Sequence, residues 1–216
     1  MGNIVGDLFV PLFFVAGTGA MFFLAYRFLS AKGAVFRNFG TGLALYGAAF
    51  GIWSLVVLTK PSDLEIITTL GVFPFALAHI FFLLVSTEKV KASKRSLLLF
   101  GALAYLAVLF LLRTFVYPSA PSFSTNGLFY FNAHPAVVAL YIGAFAATLL
   151  PAINVVSQKI KDSTLRTISQ IGFTIAAIGG IVLVTSVDDD LQTINGWVMG
   201  VTYAVLLAAY AFKRIK

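Results

Sequence analysis

Cysteine is absent from the 216 residues, which excludes disulfides, thiolate metal centres, iron–sulfur clusters and a cysteine nucleophile in this sequence. Charge is scarce as well: 11% of residues are Asp, Glu, Lys or Arg, against 60% that are hydrophobic. A soluble domain of this length has no interior large enough for so much apolar surface, so most of it is expected to face lipid or other membrane helices. Charge inside the apolar runs is scarcer still. On the boundaries given below, no Asp, Glu, Lys or Arg falls at mid-depth. That argues against a proton pump or a carboxylate-coupled transporter, which need a titratable relay through the hydrocarbon. The last run holds no lysine for a Schiff base, so no retinal is expected. The two histidines, His79 and His134, fall at different depths and do not clasp one haem. Spacing yields no metal site, no GxSxG motif and no intramembrane Ser–His pair, so neither an enzyme nor a cofactor is expected.

What is present is a series of apolar runs, with a mean hydropathy of +0.96 over the chain. A spanning helix needs roughly 20 mostly apolar residues, and runs of that kind lie at about 4–29, 37–59, 65–86, 96–116, 135–157, 165–187 and 191–212. The expected fold is all-α, a single transmembrane domain over 1–216 built as a polytopic bundle of seven helices. The first run is too long for a signal-peptide core and lacks a cationic leader, so it is read as a retained span. Cations then set the orientation. Thirteen of the fifteen Lys and Arg residues sit on alternate connectors: Arg27, Lys32 and Arg37; Lys89, Lys91, Lys94 and Arg95; Lys159, Lys161 and Arg166; Lys213, Arg214 and Lys216. The other side holds Lys60 and Arg113 with Asp7, Asp63, Glu65, Asp188, Asp189 and Asp190. Cationic connectors stay in the cytoplasm during insertion, which implies N-out/C-in and an odd number of crossings. The net charge of +7 is therefore a topology signal at helix ends, and no nucleic acid is expected as a partner. The expected location is a bacterial or archaeal cytoplasmic membrane, crossed several times.

Within this frame a few residues carry chemistry. His79 falls deep in the third run, roughly 20 Å from its outer end. It reads either as a helix–helix hydrogen-bond partner or as a ligand-contacting, pH-responsive group. Glu65, Arg113, Asp188, Asp189 and Asp190 approach one outer level. They read either as interface anchors or as a polar vestibule for a cation. Gly47 and Gly51 (GAAFG) and Gly196 and Gly200 (GWVMG) each place two glycines one turn apart on a face that another helix can approach, in this chain or in another. Pro74 and Pro151 are candidate kinks, as is the pair Gly179 and Gly180. The outer stretch YPSAPSFSTNGLFYFNA, residues 117–133, combines prolines with interfacial aromatics. It reads either as an interfacial loop or short helix lying on the outer leaflet or as a cap over a pocket.

The order from Phe36 to Val116 carries a resemblance: a cationic RNFG, a second run with a late tryptophan in AAFGIWSLV, a third run LGVFPFALAHIFFLLVS with a central proline, then a cationic connector. Together with the basic KRIK at the end, this resembles the seven-helix N-terminal sensor module of bacterial histidine kinases, here without the kinase domain. The resemblance implies a sensor-like or accessory membrane subunit that passes its output to a separate membrane protein, or to a second copy, through helix packing. The alternative is a small solute transporter of the three-plus-one-plus-three type, similar to SWEET proteins. In that case the runs on either side of the fourth should repeat each other, yet Pro74 has no counterpart in the last run. The charge pattern predicts that a tag fused after Lys216 is protected from protease in intact cells and one fused before Met1 is cleaved; equal access to both ends would contradict it.

Overall fold

Because a backbone in hydrocarbon has no water to bond, it satisfies itself internally as helix, and helix is what these apolar runs form. The computed structural model describes residues 4–58, 63–119, 121–123, 128–213 and 215, with side chains from residue 15 onward except at 57–58. The side chains of Asp7 and Pro11, and Lys60, Arg214 and Lys216 altogether, lie outside the described residues. The helices are α1 (Ile4–Leu29), α2 (Ala34–Ser54), α3 (Leu64–Ser86), α4 (Ala92–Val116), α5 (Pro135–Lys159), α6 (Ser163–Thr185) and α7 (Asp189–Phe212). α2 tightens into a 3-10 turn at Leu55–Leu58, and wider π turns occupy Leu112–Val116 in α4 and Phe145–Leu149 in α5. Between α4 and α5 the chain makes a small antiparallel hairpin, β1 (Ser122–Phe123) with β2 (Phe129–Tyr130), Ser122 facing Tyr130.

Helices α3 to α7 are each long and apolar enough to cross a membrane, and Val15–Leu29 of α1 is a further apolar helix. Their outward faces are apolar too. Ile66, Leu70, Phe73 and Leu77 make an exposed stripe along α3, and Ile194, Trp197, Val201 and Val205 make one along α7. A helix apolar on every side belongs in lipid, so the chain is a multi-pass membrane protein. Starts differ from the expected ones at α2 and α4, which begin at Ala34 and Ala92. The first turns of these helices hold Arg37, Lys94 and Arg95, whose long stems let the charge reach water from inside a helix.

Packing follows chain order with one exception. α1 lies against α2, α2 against α3, α5 against α6, α6 against α7, and α7 returns to α1. α3 bridges to α5, closing a ring of six helices, while α4 packs on the outside against α3 and α5. α4 is accordingly the least buried long helix, with Leu97, Phe100 and Phe115 each more than 70% exposed. Close approach is set by small residues: a Cβ on Gly40 would lie 2.9 Å from the Leu29 backbone nitrogen and 3.0 Å from the Ala25 carbonyl of α1. The GAAFG pair serves the same contact, with Gly47 against Met21 and Phe22 and Gly51 against Thr18. Its neighbour is therefore α1 of the same chain. In GWVMG, Gly196 is buried whereas a Cβ on Gly200 would meet no other element within 4 Å among the described residues.

The cationic end is knitted by arginines that bind helix C-terminal carbonyls. Arg95 donates to Leu84 O at the end of α3 (2.9 Å), Arg166 to Ile160 O after α5 (3.0 Å) and Arg27 to Lys213 O after α7 (2.6 Å). Cations at helix C-termini also meet the negative end of the macrodipole. Both acids of this end are paired, Glu88 with Lys159 (2.8 Å) and Asp162 with Lys213 (2.9 Å). Asp162 also caps α6 by accepting from Leu165 N–H. This amide and the Lys213 ammonium hold its carboxyl below the usual carboxylate range. A depressed value means that cap and pair contribute fully above the ordinary carboxylate pKa and are lost as pH falls through the lowered one. Gly40→Ala is expected to lower the melting temperature in detergent, because backbone atoms of α1 must give way. Gly101→Ala on α4, where a Cβ meets nothing, should leave it unchanged or raise it. A Gly40→Ala protein as stable as the parent would contradict the packing described.

Candidate functional site

Three polar side chains meet in the middle of the ring. Tyr46 of α2, His79 of α3 and Thr148 of α5 are all buried, and His79 is 1% exposed. The Tyr46 hydroxyl lies 3.0 Å from His79 Nε2, and His79 Nδ1 lies 2.6 Å from Thr148 Oγ1. The single hydroxyl proton of Thr148 goes to Ala144 O at 2.8 Å. His79 Nδ1–H must therefore donate to Thr148, which leaves Nε2 bare to accept from Tyr46. The result is a one-directional chain from Tyr46 through His79 and Thr148 to the α5 backbone, with every member satisfied.

Thr148 reaches His79 because of the backbone around it. The π turn Phe145–Leu149 lies just before Pro151. A proline ring inside a helix removes one amide and crowds the carbonyl four residues back, here Ala147; a wider turn relieves both. Pro74 lies inside α3, which stays helical from Leu64 to Ser86, just before Phe75 and His79. The two candidate kink prolines thus lie near this polar layer, while Ser169 and Tyr210 form another buried polar pair of the core.

This layer separates two spaces. On its inner side is a cavity in which about 30 Å³ is open to the centre of a water molecule, walled by Met21, Tyr46, Phe50, Trp53, Phe75, Phe145, Phe173, Met199 and Tyr203 from six helices. That is room for about two waters, and walls so apolar favour an empty space. On the outer side is a groove of about 420 Å³ between α3, α4 and α5, lined by Leu83, Leu97, Leu98, Leu106, Tyr105 and small residues, with His79 and Thr148 at its floor. Tyr105 ties α4 to α5 by donating to Leu140 O (2.7 Å). Gly143 makes room for it, since a Cβ there would lie 2.6 Å from the Tyr105 hydroxyl.

Aromatic rings seal the cavity at both ends. Toward the long loop, Phe131 meets Trp53 edge to face at 5.0 Å, and Trp53 donates to Thr68 O. Leu128, Phe129, Tyr130 and Phe131 are all buried, so this part of the loop is a cap on the bundle rather than a strip on its rim. The loop is moored by Tyr130, whose hydroxyl donates to Asp189, and by Tyr117 stacked on His134 at 3.9 Å. Toward the cationic end, Phe28, Phe39, Phe82 and Phe173 pack together, with Phe28 and Phe39 4.9 Å apart. No protein-family model, no curated protein and no solved structure matches this chain. The site is accordingly read from its own geometry.

The described charged groups of the acidic end take separate roles. Asp188 caps α7 by accepting from Leu191 N–H (2.7 Å), Asp189 takes the Tyr130 hydroxyl, and Asp190 faces solvent. Glu65 is exposed on the first turn of α3, whereas Arg113 is 2% exposed and bonds Thr69 and Ser119. Among the described residues no three acids or histidines converge on a point that would hold a metal ion. Sequence reasoning missed Tyr46, Thr148, Trp53 and Phe131. A polar residue inside an apolar run is a signal for the first two, but the distant partners it finds are not readable from spacing. Thr148→Val leaves the His79 N–H without an acceptor and is expected to cost about 1–3 kcal/mol, read as a lower melting temperature. Thr148→Ser should restore it; a Thr148→Val protein of unchanged stability would refute the hydrogen-bond assignment.

Proposed function

We propose that this protein is a sensor-like or accessory membrane subunit, with seven crossings and an N-out/C-in orientation, that signals through its cationic face to a partner membrane protein. The observation that carries this reading is a continuous aromatic column. It starts at Phe131 in the long loop and runs through Trp53 (5.0 Å), Phe75 (5.8 Å), Tyr46 (5.0 Å), Phe82 (5.2 Å), Phe39 (5.5 Å) and Phe28 (4.9 Å) to Tyr210 (5.3 Å). Packed rings move together or not at all, so a shift of the loop reaches the helix ends at the other side. The small dry cavity beside the column favours the same reading. An apolar ligand larger than two waters enters only if α3 or α5 moves, so occupancy and helix position are linked. The hinge for that movement is the level of Pro74, Pro151 and the π turn. The resemblance of residues 36–116 to histidine-kinase sensor modules points in this direction as well.

A second reading, a transporter of the three-plus-one-plus-three type, is favoured by one feature: α1–α3 and α5–α7 build the ring while α4 stays outside. Against it stand the aromatic seals at both ends and the lack of a charged group in the described ring centre. Extraction in mild detergent is expected to recover a membrane protein in fixed ratio, and Phe131→Ala should weaken that complex about tenfold or more although it lies at the far end. Solute movement by the purified protein alone in liposomes would overturn the subunit reading.

A further inference from the structure

Among the described residues Arg113 is the largest fully buried side chain, at 2% exposure. It lies in the π turn that ends α4. Its guanidinium donates through Nη1 to the Thr69 hydroxyl of α3 (2.9 Å) and through Nη2 to the Ser119 hydroxyl of the loop (2.8 Å), and the Tyr141 hydroxyl of α5 is a third polar neighbour. All three neighbours are neutral. The ion pairs among the described residues, Glu88–Lys159 and Asp162–Lys213, lie at the opposite end. Glu65, one turn from Thr69 on α3, is exposed and makes no ion pair with Arg113. Asp7 belongs to α1, which packs against α2 and α7. A guanidinium taken out of water costs several kcal/mol unless an opposite charge repays it, and hydroxyls repay only part. Apolar packing surrounds it on the cavity side, where Tyr141 stands edge to face with Phe75 at 5.7 Å.

We infer that Arg113 anchors a binding site for an oxyanion, a carboxylate or a phosphate-type group, at the acidic end of the bundle. The guanidinium fork matches the two oxygens of such a group. Thr69, Ser119 and Tyr141 each carry a rotatable proton that turns from its present acceptor role to donate to the anion. The four donors come from α3, α4, α5 and the loop, so the anion adds an opposite charge to elements that Arg113 and its hydroxyl neighbours already link. Ser119 closes the site, and loop displacement opens it. The site is independent of the subunit reading above: it is separate from the aromatic cavity and its test involves no partner.

The test uses the full-length protein in uncharged maltoside micelles at constant ionic strength in sodium chloride, with the melting temperature read as each probe replaces chloride. Inorganic phosphate, benzoate and phosphatidylglycerol doped into the micelle are titrated separately. At least one is expected to raise the melting temperature along a saturating curve. Saturation by phosphate or benzoate identifies a soluble anion, and saturation by phosphatidylglycerol alone identifies a lipid headgroup. Arg113→Lys, which keeps the charge and loses the fork, should weaken the midpoint about tenfold. Arg113→Met should abolish the response while leaving the ligand-free protein at least as stable as the parent, since it removes an unpaired buried charge. If Arg113→Met fails to fold, Ser119→Ala serves in its place, with a midpoint expected to rise several-fold. No saturable response of the parent protein to any of the three probes overturns the inference, and so does a response that Arg113→Met and Ser119→Ala leave intact.

Discussion

The core of this protein depends on one short hydrogen bond, from His79 Nδ1–H to Thr148 Oγ1 at 2.6 Å. It joins α3 to α5, a contact that together with the return of α7 to α1 makes the six helices a closed ring. In an apolar interior such a bond has no water to compete with it, and each partner alone would be a buried polar group without satisfaction. Geometry around it is arranged accordingly. The wide turn before Pro151 brings Thr148 to the right height, and Tyr46 orients the ring by donating to its other nitrogen. Proline in α3 and α5, a polar triad and the dry cavity thus share one level. Close-packed rings extend from that level in both directions.

The helix ends solve a different problem, and the two sides solve it differently. At one end, arginines neutralise the free carbonyls of α3, α5 and α7. The same positive charges that orient a membrane chain also complete its hydrogen bonding. At the other end, aspartates cap α7 and moor the loop through Tyr130. Arg113 breaks this division of labour. It is a cation at the acidic end, buried, and surrounded by hydroxyls rather than carboxylates, which is why it stands out as an incomplete site.

Much of the architecture was legible in the sequence because apolar length and helical spans are nearly the same information in a membrane chain. The expected runs at 4–29 and 65–86 coincide with α1 and α3 to within a residue. The starts of α2 and α4 were less so, because cations that mark a boundary by composition sit inside the first turn by geometry. His79 was legible as a polar residue in a hydrocarbon setting, but its partners stand 33 and 69 positions away, and no spacing rule spans such distances. The aspartates at 188–190 read as a cluster in one dimension and diverge in three, since successive residues at a helix start point in different directions. Composition left residues 117–133 open between a surface strip and a cap; the burial of Leu128 to Phe131, with Phe131 against Trp53, makes that part of the stretch a cap.

The claim that the loop and the cationic end move as one unit has a direct measurement. The chain lacks cysteine, so cysteines placed at the exposed positions Lys89 and Lys161 can carry a pair of spin labels across the ends of α3 and α5. Distances between them are then compared in nanodiscs with Phe131 intact and with Phe131→Ala. The account predicts that shortening this one side chain, at the far end of the column, shifts or broadens the distance distribution. An identical distribution in a folded Phe131→Ala protein would contradict it.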